Sequence, residues 1–192
     1  MSLDPALAAV LRGQEPVAEH ETAWLDGAMP LRVSAFLGAR STPNLPLPLI
    51  SSIRCIVHVG DRLVFCENRS GRHPWPGGRR MAGESFADTA AREVHEETGW
   101  LLDRDSLRQL GWLRLRHLGP EPEGNQGPYP DFLQLVFTGT ATQRDGGLDA
   151  DAEWIDTDGY ELESSLVTLD EAIERTSLDM HAPVFLELLR ER

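Results

Sequence analysis

The chain has 192 residues, of which 41% are hydrophobic, and this combination is typical of one globular domain with a real core. Its 31 Asp and Glu against 18 Lys and Arg give a formal net charge of −13, which disfavours a nucleic-acid-binding surface because nucleic-acid backbones are also negative. The apolar runs are too short to cross a bilayer and the N-terminus lacks the pattern of a signal peptide, so we expect a cytosolic protein without a membrane partner.

Residues 1–49 carry no recognisable motif. Their pattern predicts a short helix at Pro5–Leu11, a strand at Leu31–Leu37 and a proline-rich loop at 41–48. The prolines indicate a boundary, so we predict an N-terminal extension of residues 1–49 and a main domain of residues 50–192. We consider three roles for this extension: it adds to the sheet, it covers the substrate, or it forms a dimer interface.

A β-hairpin is predicted next, because the strand-like runs Ile53–Val59 and Leu63–Glu67 flank the turn residues Gly60-Asp61. Cys55 and Cys66 are the only two cysteines and both lie in these apolar runs. We therefore expect buried, reduced thiols rather than a disulfide framework.

The hairpin is followed by a loop rich in glycine and proline, Ser70–Gly83, and then by a predicted helix, Ser85–Glu97. Ser85 is placed to cap the start of this helix, and Gly99 lies just past its end.

The C-terminal half alternates strands and helices. We predict two strands on either side of the loop Gly119–Asp131, then a third strand and two closing helices: Trp112–Leu118, Phe132–Thr140, Ser165–Thr168, Leu169–Arg175 and Ala182–Arg190. The mixture predicts an α+β fold, an α/β/α sandwich with the sheet between helices.

The densest group of carboxylates lies on the helix Ser85–Glu97. At about 100° per residue, Glu93, Glu96 and Glu97 lie at roughly 0°, 300° and 40°, so they project from one face. A Glu-rich helix is more often a solvated face, but here a glycine loop precedes it and three like charges favour a bound cation. Hard oxygen ligands without paired Cys or His favour Mg²⁺ or Mn²⁺.

Together these residues resemble the complete Nudix box. Gly78 is followed after five residues by Glu84, and after seven more by the run Arg92-Glu93-Val94-His95-Glu96-Glu97-Thr98-Gly99-Trp100. The motif is long and its spacing is intact, so the match is highly specific. Two positions depart from the usual pattern: Trp100 replaces an aliphatic residue, and Met81 stands where an acidic residue is common.

The resemblance implies the Nudix fold, a mixed sheet between helices, for roughly residues 50–190. It also implies that Glu93, Glu96 and Glu97 bind the catalytic metal, with the Gly77 carbonyl as a backbone ligand. Arg92 would orient the glutamates, and Glu84 would anchor the loop or lie in the outer metal shell. The implied reaction is metal-dependent hydrolysis of a phosphoanhydride bond in a nucleoside diphosphate linked to another moiety.

The catalytic base and the substrate contacts are less constrained. Family members take the base from the box or from a later loop, where this chain has Glu161 and Glu163; Glu163 is our candidate catalytic residue. Trp75 could stack on a base, or it could belong to the core. The basic residues Arg72, Arg79 and Arg80 could bind phosphate, or they could be solvated loop charges.

Several alternatives stay open. The substrate class could be nucleoside triphosphates, nucleotide sugars such as ADP-ribose, dinucleoside polyphosphates, NADH or coenzyme A. The fold could also serve as a non-catalytic module that binds a nucleotide metabolite, or as an isomerase of allylic diphosphates that uses Cys66. We expect a small nucleotide-type substrate as one partner. Because Nudix enzymes are often dimers, we expect a second copy of the chain as another.

Overall fold

Eight strands and four α-helices make up the described part of the chain, which in this computed structural model comprises residues 3–24, 27–38, 45–69, 71–156, 159, 161–176 and 181–190. The elements in chain order are α1 (Pro5–Leu11), β1 (Ala18–Trp24), β2 (Met29–Leu37), β3 (Ile50–Val59), β4 (Arg62–Asn68), β5 (Gly71–His73), α2 (Phe86–Thr98), β6 (Trp100–His117), β7 (Asp131–Arg144), β8 (Glu161–Val167), α3 (Leu169–Arg175) and α4 (Ala182–Glu187).

All eight strands belong to one mixed sheet in the order β1-β2-β6-β7-β3-β4-β5, and β8 pairs with β4. β3 and β7 are parallel, and the other neighbours are antiparallel. β3 and β4 share only two register pairs, next to their connecting turn. The first half of β3 bonds instead to the loop between β5 and α2 (residues 74–85), called the glycine loop below. The Ile53 amide donates to the Gly78 carbonyl at 2.9 Å, and the Cys55 amide donates to the Pro76 carbonyl at 3.0 Å.

Two apolar cores lie on opposite faces of the sheet. The first face is covered by α1 and α2, which contribute the buried side chains Leu7, Val10, Ala90, Ala91 and Val94. The second face is covered by α3 and α4, which contribute Ala172, Ala182, Phe185 and Leu186. A sheet with apolar residues on both faces needs a cover on each side, and this arrangement confirms the predicted α+β fold with a mixed sheet between helices.

α2 begins and ends where its sequence predicts. The Ser85 hydroxyl accepts a hydrogen bond from the Asp88 amide at 3.1 Å, and Gly99 ends the helix in the left-handed conformation with φ 72°. Both features satisfy backbone groups that a helix leaves without internal partners. The carboxylate-bearing helix is therefore fixed at both ends.

The N-terminal residues take part in the sheet. β2 pairs with β6 from Leu31 to Leu37, and β1 pairs with β2 and forms one edge of the strand order. Of the roles considered for the N-terminal extension, an addition to the sheet is the one observed. The division of the chain at residue 50 stays a prediction.

The sequence patterns predict most elements but not β1 and β5, and they start β6 at Trp112 rather than Trp100. β1 has no buried residue, so it lacks the apolar alternation that indicates a strand. In β6 the charged run 103–105 interrupts the apolar pattern that would indicate a strand. The pairing of β6 with β7 also shifts register between Asp103 and Arg108. Of the predicted proline-rich loop, residues 41–44 lie outside the described residues.

Cys55 and Cys66 are both buried free thiols, as predicted. Among the helices of the described residues, none is long and apolar enough to span a membrane.

Candidate active site

At Gly77 and Gly78 the glycine loop passes so close to its neighbours that there is no room for a side chain. At Gly77, where φ is 153°, a Cβ would overlap the Ile53 carbonyl oxygen. At Gly78 a Cβ would lie 2.5 Å from a carboxylate oxygen of Glu93. The two glycines therefore let the loop lie between β3 and the carboxylates of α2.

Arg92 holds three carboxylates around one guanidinium. Its nitrogens lie 2.7 Å from Glu84, 2.9 Å from Glu93 and 2.9 Å from Glu96. It also donates to the Arg79 carbonyl at 3.0 Å. These contacts raise the pKa of Arg92, with the hydrogen bond to Glu84 as the largest cause. Arg92 thus forms ion pairs with two of the three glutamates for which the resemblance implies an orienting role.

Glu84 closes the turn that leads into α2. Besides its pairing with Arg92, its carboxylate accepts hydrogen bonds from the Met81 amide at 3.0 Å and the Thr89 hydroxyl at 2.9 Å. The hydrogen bonds from Arg92 and from the Met81 amide are the main causes that lower its pKa to about 2. Because these bonds join Met81 of the loop to Thr89 and Arg92 of α2, the position of Glu84 suits an anchor of the loop.

Glu93 and Glu97 are buried, whereas Glu96 keeps more contact with solvent. Burial raises the pKa of Glu93 and, despite a hydrogen bond of 2.9 Å from the Gly77 amide, raises the pKa of Glu97 to about 8. A carboxylate in this state needs positive charge nearby to stay ionised at neutral pH. Glu93 and Glu97 contact the glycine loop, whereas Glu96 pairs with Arg92.

Arg54 is a member of this site that the sequence analysis missed. It lies in β3, and its guanidinium donates to the Gly77 carbonyl at 2.5 Å. Its charge lowers the pKa of both Glu93 and Glu97. A single arginine inside the apolar run Ile53–Val59 is the signal that could have indicated it, because a charge in a buried strand needs a functional or structural reason.

Glu161 and Glu163 point to opposite faces of the sheet. In the β4–β8 pairing, Glu161 is opposite Asn68 and Glu163 is opposite Glu67, with a register shift between the two pairs. The Glu161 side chain is 1% exposed and its charge raises the pKa of Glu97, so it lies near the box glutamates.

Two buried partners hold one oxygen of Glu161. Oε1 accepts from the Asn68 amide nitrogen at 3.1 Å and lies 2.9 Å from His73 Nε2. Oε2 has no hydrogen-bond partner among the described residues. Asn68 and His73, which come from β4 and β5, were also missed by the sequence analysis because β5 was not predicted.

Glu163 lies instead in a cavity of about 250 Å³ on the second face. The cavity is lined by the residues Phe65, Glu67, Arg72, Glu163, Ser165 and Arg175. Within it Arg72 pairs with Glu67 at 2.7 Å. The structure therefore places Glu163 and Arg72 on the face of the sheet opposite the α2 carboxylates, a location that does not favour the catalytic and substrate-binding roles predicted for them.

Trp75, Arg79 and Arg80, the other residues predicted to contact the substrate, differ in how accessible they are to a ligand. Trp75 is 6% exposed and its ring stacks with His181 at 5.5 Å, so it belongs to the core rather than to a base-binding surface. Arg80 donates to the Glu84 carbonyl at 3.3 Å and lies over the Phe86 ring. Arg79 is exposed beside the glycine loop, so its guanidinium can still reach a ligand.

The donor set fits a hard divalent cation in its chemistry. Carboxylate oxygens of Glu93, Glu96 and Glu97 and the carbonyl of Gly77 are the ligand types that Mg²⁺ and Mn²⁺ prefer. The raised pKa of Glu97 fits as well, because a bound cation would stabilise its charged form. As the side chains stand, however, no group of three or more His, Cys, Asp or Glu in the described ranges converges on a metal position. Binding would require carboxylates to turn from Arg92 toward the ion.

The comparisons with known proteins agree with this architecture. The sequence profile of the NUDIX domain matches residues 49–189. The chain resembles a solved mutant of the Bacillus subtilis pyrophosphohydrolase BsRppH, with a TM-score of 0.55 and 19% identity over 90% of this chain and 96% of that one. None of the curated proteins is significantly similar in sequence to this chain.

Two further solved structures are similar at lower scores. A NUDIX hydrolase from Nitrosomonas europaea has a TM-score of 0.49 and 19% identity, covering 73% of this chain and 86% of its own. A UDP-X diphosphatase has a TM-score of 0.46 and 15% identity, covering 79% of this chain and 67% of its own. At such identities the likeness concerns the fold.

Proposed function

The chain belongs to the NUDIX domain family, and from this we propose that it is a divalent-metal-dependent hydrolase of a phosphoanhydride bond in a nucleoside diphosphate linked to another moiety. The observation that carries the proposal is that Glu93, Glu96 and Glu97 share one face of α2, where Glu93 lies beside Gly78 and Glu97 accepts a hydrogen bond from the Gly77 amide. Carboxylates beside two consecutive glycines suit a site that a phosphate group approaches closely.

The residues of the site have different roles in this proposal. Glu93, Glu96, Glu97 and the Gly77 carbonyl would hold Mg²⁺ or Mn²⁺, which when bound neutralises phosphate charge and lowers the pKa of a water. Arg92 keeps the glutamates on one side of the helix, and Glu84 keeps the loop closed onto its start. Both therefore act through the residues they orient.

Glu161 is the better candidate for the base outside the box. Its Oε1 is held by Asn68 and His73, whereas its Oε2 has no partner in the described part of the chain. A fixed carboxylate with one uncommitted oxygen near Glu97 can accept a proton from an attacking water. Glu163 cannot do so from the other face.

The alternatives are less well supported. A non-catalytic binding module would not need the box glutamates, and this chain has all of them. The isomerase alternative needs a reactive thiol, but Cys66 is buried and burial raises its pKa well above the usual value. Both alternatives nevertheless predict outcomes that differ from hydrolysis.

The test is to incubate the purified protein with Mg²⁺ and a panel of nucleoside triphosphates, nucleotide sugars, dinucleoside polyphosphates, NADH and coenzyme A. We expect a metal-dependent product that chromatography identifies, and a loss of more than about 100-fold in kcat for Glu96→Gln and Glu97→Gln. Glu163→Gln is the matched control on the other face and should keep its activity. Tight binding without any product would show the binding module instead.

We also propose a homodimer, as the resemblance implies. The strongly negative net charge supports a small substrate neutralised by metal rather than a nucleic-acid partner. Light scattering coupled to size-exclusion chromatography measures the oligomeric state; a mass of one chain would contradict the dimer.

A further inference from the structure

Arg54 and Arg92 both donate to carbonyls of the glycine loop, but they differ in how many of their donors are used. Arg92 contacts three carboxylates and a carbonyl, so its guanidinium is fully engaged by the protein. Arg54 makes one hydrogen bond, to the Gly77 carbonyl. It forms no ion pair with a carboxylate within the described ranges.

Arg54 nevertheless lies close to the carboxylates. Its guanidinium bonds to the carbonyl of Gly77, and the amide of the same residue donates to the Glu97 carboxylate at 2.9 Å. It is only half-buried, and its nitrogens are not among the enclosed atoms that lack a partner. The unused N–H groups of Arg54 therefore face solvent at the loop.

A guanidinium has five N–H donors in a rigid plane, and two of them can bind neighbouring oxygens of a phosphate at once. One donor of Arg54 is fixed on Gly77, which orients the plane and leaves the others in place before a ligand arrives. Such pre-organisation lowers the entropy that binding costs. An arginine kept only for structure would instead be expected to have its donors satisfied, as Arg92 has.

We propose that Arg54 binds a phosphate of the substrate directly, on the β3 side of the carboxylates, while its remaining donor keeps the Gly77 carbonyl in position. The inference rests on the proposed function and deepens it, because it assigns to the anionic substrate a contact that sequence analysis did not identify. It also assigns Arg54 the role predicted for Arg72.

The experiment measures the binding of imidodiphosphate, a pyrophosphate analogue that resists hydrolysis, by calorimetry in the presence of Mg²⁺. Arg54→Gln keeps a donor for the Gly77 carbonyl but loses the charge, and Arg54→Lys keeps the charge but loses the planar pair of donors. Arg62→Gln, an exposed arginine at the start of β4, is the control. The melting temperature of each variant is recorded alongside.

We expect Arg54→Gln to bind the analogue about 10- to 100-fold more weakly, the effect of a lost charge-assisted hydrogen bond, with Arg54→Lys in between. The control should bind as the wild type does. Wild-type affinity in Arg54→Gln, with or without a lower melting temperature, would overturn the proposal and leave Arg54 as a support of the loop.

The experiment also distinguishes a failure of this proposal from a failure of the proposed hydrolase function. If the wild type hydrolyses a member of the panel and Arg54→Gln binds the analogue as tightly as the wild type, only the phosphate contact is overturned. A wild type that neither hydrolyses the panel nor binds the analogue overturns both.

Discussion

Among the single residues, Glu97 shows how burial sets the chemistry of the site. Its carboxyl is enclosed beside Glu93 and Glu161, and only the Gly77 amide and the charge of Arg54 oppose the resulting rise in its pKa. The protein therefore maintains a carboxyl that prefers to be neutral until a cation arrives. Loss of a proton on metal binding is the expected consequence.

The stability of the metal-free protein should depend on pH through Glu97. In the folded state this carboxyl holds its proton up to about pH 8, against 4.5 for its ordinary value. Between these values the folded state binds one proton more than the unfolded chain, so the free energy of unfolding falls as the pH rises and levels off above 8. Urea denaturation in EDTA at several pH values measures this slope. Glu97→Gln should flatten it, and an equal slope in both proteins would contradict the assignment.

Glu161 and Glu163 provide a second prediction about single residues. Glu161→Gln should lower kcat by about 100-fold or more if its free oxygen accepts the proton of the attacking water, whereas Glu163→Gln should leave kcat unchanged. The two variants remove the same charge from the same strand and so control for each other. Steady-state kinetics on whichever panel substrate is cleaved decides between them; equal effects would remove Glu161 from the mechanism.

Among the elements, the glycine loop and β3 form one unit. The loop takes the place of a neighbouring strand beside the first half of β3, through the bonds from Ile53 and Cys55. α2 then packs on the first face with its carboxylates against Gly78. The geometry of the site thus depends on backbone contacts as much as on the glutamates themselves.

Gly77→Ala should be far more destabilising than Gly83→Ala. Both glycines have positive φ, but a Cβ at Gly77 would meet the backbone of β3, and one at Gly83 would meet open space. We expect a loss of more than about 3 kcal/mol in the free energy of unfolding for Gly77→Ala, and of about 1 kcal/mol for Gly83→Ala. Chemical denaturation measures both; similar losses would show that the loop can move away from β3.

The sequence predicts the elements and residues that depend on local patterns. α2 and its caps follow from local sequence patterns, and the structure has them as predicted. The face on which Glu161 and Glu163 lie depends on a register shift between β4 and β8, which no local pattern reveals. Long-range contacts of this kind also explain why Arg54 and His73 were missed.

For the whole molecule, the N-terminal residues are part of the folded body. α1 places Leu7 in the core of the first face, and β2 pairs with β6 in the middle of the chain. The sheet therefore joins residues from both sides of the predicted boundary at residue 50. Removal of the N-terminal segment would expose one side of β6.

Leu7→Ala tests this dependence. Leu7 is fully buried, so its truncation should cost about 2–5 kcal/mol of stability and lower the midpoint of a single unfolding transition. Leu47→Ala, at a position in the same segment that is 57% exposed, should stay within about 0.5 kcal/mol of the wild type. Equal midpoints for Leu7→Ala and the wild type would show that the segment does not support the main domain.

The edge strand β1 limits how two copies of the chain can meet. Its outer side has no partner strand in the described residues, and such an edge is open to pairing with another molecule. Glu19 and Glu21 point to the same face of β1, where they contact Ser34 and Arg32 of β2. A symmetric antiparallel pairing centred on His20 would bring Glu19 of one copy opposite Glu21 of the other, and like charges directly opposite are destabilising. Edge-to-edge association along β1 is therefore discouraged, which protects the chain from forming extended sheets and directs any homodimer to another surface.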